Sequence, residues 1–145
     1  LTYLEMSVNP LSSSFNSSSV LPSSLEYLYC NLCAISSIPT LPSTMTHLQV
    51  QQNRLVSGSI QNFPSALTVI ALGVNALTDI PPIPSGVTEL DVSFNPFSAT
   101  KINTICGELV AHNLNNGTLN LTSCTTSLAA ANISTLQGRG WFVFT

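Results

Sequence analysis

The chain has 145 residues, enough for one domain and too few for two independent cores, and its 44% hydrophobic content excludes a disordered tail. Three basic and six acidic side chains leave a net charge of −3, which excludes binding nucleic acid through phosphate, since three cations cannot neutralise a backbone. Its apolar stretches fall far short of the ~20 residues that span a bilayer, so no membrane insertion is expected, and Leu1–Met6 lacks the basic start of a cleavable signal. What is left is a domain whose polarity comes from 21 Ser, 15 Thr and 13 Asn rather than from charge, a balance commoner outside the cell than in cytosolic enzymes.

In chain order, the pattern L-x-x-L-x-L-x-x-N-x-L recurs five times. The matches are Leu1-Leu4-Met6-Asn9-Leu11, Leu25-Leu28-Cys30-Cys33-Ile35, Met45-Leu48-Val50-Asn53-Leu55, Leu67-Ile70-Leu72-Asn75-Leu77 and Val87-Leu90-Val92-Asn95-Phe97. A partial match follows at Leu119-Leu121-Cys124, and Trp141-Val143 keeps only two inward positions. Taken at the central apolar residues 6, 30, 50, 72, 92, 121 and 143, the intervals are 24, 20, 22, 20, 29 and 22 residues. Within each unit apolar and polar residues alternate, as a short strand with one buried face requires. The residue at the Asn position sits where the chain leaves the strand, and an amide there can satisfy backbone groups that no sheet partner reaches. Stacked units therefore predict a ladder of Asn9, Cys33, Asn53, Asn75, Asn95 and Cys124, the two cysteines replacing the amide.

Between the strands run proline-rich links: Leu21-Pro22-Ser23, Ile38-Pro39-Thr40-Leu41-Pro42-Ser43, Phe63-Pro64-Ser65 and Ile80-Pro81-Pro82-Ile83-Pro84-Ser85. Proline forbids an interior helix, so this side of the repeats is expected to be irregular. The first unit carries the longer run Ser12–Ser19, broken by Phe15 and Asn16, and reads as a looser bulge. Residues 1–98 thus form five repeats. In residues 99–145 the character changes. Ala99–Asn113 carries Ile102, Ile105, Cys106, Leu109 and Val110 at helical spacing. A second helix is predicted over Leu128–Leu136, with a Ser or Thr of Thr125–Ser127 as its N-cap. Gly138-Arg139-Gly140 stops it, and Trp141–Thr145 reads as a last strand, with Trp141 and Phe142 covering the final rung.

The five matches resemble the leucine-rich repeat family along nearly the whole chain. The short repeats and their I/L-P-x-L/I-P links are similar to the bacterial class found in effectors of Gram-negative pathogens and in bacterial surface proteins. Asn115–Leu121, with Leu136–Trp141, resembles the closing unit of such domains in environmental bacteria and in phage fibre proteins. The resemblance implies an α/β repeat solenoid, a horseshoe with a parallel β-sheet on its concave face, helices only in a C-terminal cap, and no catalysis or cofactor. It also implies a longer protein, because the first strand begins without a cap.

On the concave face, the outward positions of successive units are Tyr3, Tyr27, His47, Val69, Glu89, then Glu5, Tyr29, Gln49, Ala71, Asp91, then Ser7, Asn31, Gln51, Gly73, Ser93. Tyrosine gives area with few rotors and keeps a hydroxyl, so Tyr3, Glu5, Tyr27, Tyr29, His47, Gln49, Gln51, Glu89 and Asp91 are the candidate contacts for a protein or carbohydrate ligand. Other signals are weaker. Cys30 and Cys33 have redox or zinc half-site spacing, but both stand at inward repeat positions and read as core. Glu89 and Asp91, about 7 Å apart on one strand face, have the spacing of a weak acid pair with no cleft to serve. Cys106 and Cys124 are left open as a bonded or free pair. The column Thr2, Thr46, Thr68, Thr88 reads as strand entry. The expected function is an extracellular, cell-surface or virion recognition module without metal or cofactor; the alternative is a subunit of an extracellular or virion filament that self-assembles through its uncapped N-terminal strand edge. The shortage of charge points to amide and hydroxyl contacts more than to electrostatic recognition.

Overall fold

A computed structural model describes residues 1–12 and 14–145. Seven three-residue strands form one parallel sheet in sequential order: β1 (Tyr3–Glu5), β2 (Tyr27–Tyr29), β3 (His47–Gln49), β4 (Val69–Ala71), β5 (Glu89–Asp91), β6 (Thr118–Asn120) and β7 (Phe142–Phe144). Two helices, α1 (Ala99–His112) and α2 (Ala130–Gly138), lie between β5 and β7. The expected repeat solenoid is the architecture observed.

Each strand is short because its neighbours are the next repeats, and the pairing runs on past the strand itself. The N–H groups of Val8, Leu32, Gln52, Val74 and Phe94 donate to the carbonyls of Asn31, Gln51, Gly73, Ser93 and Thr122 in the following unit. Alternation puts Leu28, Leu48, Ile70, Leu90 and Leu119 fully inside, and the central residues Cys30, Val50, Leu72, Val92 and Leu121 join them in one continuous core. The proline links enter the strands by one device. The carbonyls of Pro22, Pro42, Pro64 and Pro84 accept from the N–H three residues on, at Leu25, Met45, Leu67 and Val87, closing a tight turn each time. No helix stands in these links, as the prolines required. In the first unit's bulge, Phe15 is buried and ties the loop to the core; Ser13 of that run lies outside the described residues.

In the C-terminal third the helices sit close to their expected places. Ser98 caps α1 by accepting from the Lys101 N–H, and Asn113 ends it in the left-handed region. The Ser/Thr cap expected for α2 is not there: the helix begins at Ala130, two residues later than the spacing predicts, so its N-cap position falls on Ala129, which has no side chain to bond. The last strand also differs from its sequence reading. Val143 pairs with Leu119, so Trp141 lies level with Gly117 rather than at a strand position. The sequence matched Val143 to Leu121 instead, a slip of two residues. Such a slip keeps every side chain on the same face, so alternation alone cannot detect it. Trp141 is buried against Gly117, where a Cβ would stand 2.5 Å from the indole, and its Nε1 donates to the Leu114 carbonyl. Phe142, expected to cover the final rung, instead points outward and is 70% exposed.

Candidate functional site

The asparagine ladder comes first, since it fixes how the outward columns are presented. The Asn53 amide donates to the carbonyls of Cys30, Val50 and Gln51, Asn75 to those of Val50, Leu72 and Gly73, and Asn95 to those of Leu72, Val92 and Ser93. Their Oδ1 atoms accept N–H groups from the preceding unit, at Cys33 and Ile35, at Leu55 and at Leu77. Each asparagine thus joins two repeats. Cys33 Sγ keeps half of the role, donating to the Met6 and Asn31 carbonyls, and Cys124 Sγ donates to Val92. Asn9 bonds only within its own unit and is exposed. All four cysteines are free thiols. Burial and the neighbouring Cys124 push the Cys106 thiol up to about 12, and burial with a bond to Cys33 raises Cys30 further, so neither supplies a thiolate at neutral pH.

On the outer face the strands bring four rings together. Tyr3 lies 5.3 Å from Tyr29 and 6.0 Å from Tyr27, both tilted, while Tyr27 stacks on His47 at 4.5 Å. The His47 ring is further held by the Thr46 hydroxyl at 2.9 Å from its Nδ1. Parallel register produces this cluster: Tyr3, Tyr27 and His47 are direct neighbours across β1, β2 and β3, and Tyr29 pairs with Glu5 beside them. Burial, then Tyr3, Tyr27, Glu5 and Glu89, in that order, raise the Tyr29 hydroxyl above its ordinary value.

The other predicted contacts divide. Gln51 and Asp91 bond to each other at 2.8 Å, reaching over the whole of β4. Only small residues there permit it: a Cβ on Gly73 would lie 2.9 Å from Ser93 Oγ and 3.1 Å from both Asp91 carboxylate oxygens. Asp91 also accepts from the Ser93 N–H, as Glu5 does from Ser7. Sequence reasoning missed this backbone-capping use of outward polar residues, which extends to Ser7 under Asn31, Asn31 under Gln51 and Asn120 under Thr122. Glu89 is exposed and stands next to Asp91's strand neighbours without joining that network. The threonine column is a set of staples, with Thr46 Oγ1 bonding to the Glu26 carbonyl and Thr68 Oγ1 to that of Thr46.

A cleft of about 280 Å³ lies elsewhere, among the links, lined by residues such as Ile60, Leu77, Ile80 and Pro81. Beside it Lys101 pairs with Asp79 at 2.6 Å and donates to the Ile80 carbonyl. Among the described residues no group of three His, Cys, Asp or Glu side chains is arranged to hold a metal, and no helix is long and apolar enough to cross a membrane.

The chain is similar to solved structures. YopM from Yersinia enterocolitica WA-314 is similar over 67% of this chain, with 25% identity and a TM-score of 0.58. The chain has the leucine-rich repeat fold. It spans 25% of the YopM chain's length. A Shigella effector LRR domain matches across 99% of this chain and 81% of its own, with 15% identity and a TM-score of 0.46. No family model matches the chain, and no curated protein matches it in sequence. Leucine-rich repeat domains are generally non-catalytic interaction modules.

Proposed function

We propose that this domain recognises a protein through the outer face of β1–β3. The observation that carries the reading is the Tyr29, Tyr3, Tyr27 and His47 cluster, four rings joined in a row by three contacts on the outer sheet face, with Tyr3 52% exposed. Nothing in the fold needs them: the inward positions alone build the core. Such rigid, amphipathic rings are the residues that dominate recognition surfaces. Residues 99–145 close the stack in the same reading, through Ile102, Ile105 and Leu109 of α1 and through Trp141. Action outside the producing cell, on a cell surface or virion, belongs to the proposal as well, supported by the scarcity of charge.

The test is a binding screen of the labelled domain against arrayed proteins and arrayed glycans, repeated with a Tyr3→Ala, Tyr27→Ala, Tyr29→Ala variant whose circular dichroism is unchanged. Protein signals should fall about tenfold or more in the variant. Signals on glycans alone, or protein signals indifferent to the three substitutions, overturn the reading.

A further inference from the structure

The scarcity of charge conceals how it is distributed. Of the six carboxylates, Glu5, Glu89 and Asp91 stand at outward positions of the strands. The three lysine and arginine residues are elsewhere: Arg54 in the turn after β3, Lys101 in α1 and Arg139 after α2. Two of those are also occupied, Lys101 with Asp79 and Ile80 and Arg139 with the Val110 carbonyl. The outer sheet face therefore carries negative charge with no lysine or arginine among its strand residues, and the same face carries the ring cluster.

We infer that the segment bound by this face is cationic and presents arginine, whose guanidinium lies over the tyrosine rings while the Glu5 carboxylate beside them completes its pairing and Glu89 further along the face attracts the rest of the segment. The inference rests on the protein-recognition reading above and names the chemistry of the partner. Three features carry it. The Tyr3 ring is more than half exposed and meets Tyr27 and Tyr29 at its sides, so a flat cation can lie on it. Glu5 pairs in register with Tyr29, uses one oxygen on the Ser7 N–H at 2.7 Å and leaves the other for a ligand. Glu89 is exposed on β5, in the same outward column as Tyr3, Tyr27 and His47, and adds a second carboxylate to this face beyond the rings. Arginine fits better than lysine because its planar fork stacks on aromatic faces and pairs with a carboxylate through two bonds. The near-absence of charge elsewhere sharpens the field, since little competes with it for a cationic segment.

The experiment uses the whole chain and three fluorescein-labelled decapeptides, alternating glycine with arginine, with lysine or with citrulline, the neutral isostere of arginine. Anisotropy titrations at low and high salt should rank arginine about threefold tighter than lysine and about tenfold tighter than citrulline. A Glu5→Gln, Glu89→Gln double variant, in which glutamine can still accept the Ser7 N–H, should weaken the arginine peptide about fivefold and flatten its salt dependence. Tyr27→Leu should weaken it while leaving the salt dependence in place. Equal binding of the arginine and citrulline peptides, or a double variant that binds as the native domain does, overturns the inference. If that happens while arrayed proteins still bind in a tyrosine-dependent way, the cationic partner is lost and protein recognition stands; if neither occurs, both fall.

Discussion

Two columns adjacent in sequence follow opposite rules. The ladder residues Asn53 and Asn75 are half-buried and Asn95 is buried, and all three are bonded across repeats. The residue just before each rung does the reverse. Val8, Leu32, Gln52, Val74, Phe94 and Ser123 all have φ between 50° and 64°, the left-handed region that glycine and asparagine occupy most easily. Yet four of the six are large and apolar, and Val8, Leu32, Val74 and Phe94 are 73%, 53%, 44% and 53% exposed. The backbone conformation is imposed by the repeat, because the N–H of this residue must reach the next unit's carbonyl while the following Asn turns inward. The ladder shows where the fold selects a side chain, and the column beside it shows where the fold only sets the backbone and accepts strain.

That contrast can be broken in a graded series. Asn95→Ala strands the Leu77 N–H in a buried place and takes one donor from each of the Leu72, Val92 and Ser93 carbonyls, which keep Asn75, Cys124 and Val74, so urea unfolding should show a loss of about 2–3 kcal/mol. Asn9→Ala, exposed and bonded only within its own unit, should lose under about 1 kcal/mol; equal losses at both sites would mean that the amide does not act by joining repeats. Next in size is Gly73→Ala, whose methyl displaces the Asp91 carboxylate and with it the bonds to Gln51 and Ser93, for about 1–2 kcal/mol. Val74→Asn has the opposite sign. It relieves a β-branched residue at φ 57° and should raise stability by roughly 1 kcal/mol; a loss instead would show that Val74 is held by packing and that the outward column is part of the fold.

The smallest effect tests the links rather than the columns. Lys101, through its bond and its charge, holds Asp79 below its ordinary value of 3.8. The ion pair's contribution is therefore present above about pH 4 and fades as pH falls through the lowered folded value. Asp79→Asn should cost no more than about 0.5 kcal/mol at neutral pH, because the carboxylate is exposed, and its stability should converge with that of the native chain in acid. A difference that persists at low pH assigns the effect to the Ile80 N–H bond instead.

Most of the fold was legible because its signals are periodic. Inward leucines, turn prolines and the ladder asparagines repeat, so each rung repeats the evidence of the last, and the five strands of residues 1–98 fall where the alternation puts them. Legibility fails where repetition fails. Trp141-Val143 offered one unit with nothing to fix its register, and the pairing of Val143 with Leu119 was settled by the indole packing on Gly117. Ala129 stands at the N-cap of α2 because a turn closed by its own N–H on the Thr126 carbonyl precedes the helix. The ring cluster was half legible: the outward tyrosines could be named, but their order of contact, with His47 on Tyr27 and Tyr3 over Tyr29, follows from strand register.

By itself the sequence determined the repeat, the inward core, the asparagine ladder and the absence of helix in the proline links, since each depends on local spacing and on backbone chemistry within one or two units. Only the tertiary structure decided which outward groups are engaged with one another. Gln51 and Asp91 are 40 residues apart and meet because Ala71 and Gly73 leave room above β4. It likewise decided where the few charges gather, because a net charge of −3 carries no direction until the strands put carboxylates on one face and leave the cations on turns and helices. The physical reason is range: periodicity reports what a residue needs from its own repeat, while contacts across repeats depend on the stacking that brings those repeats together.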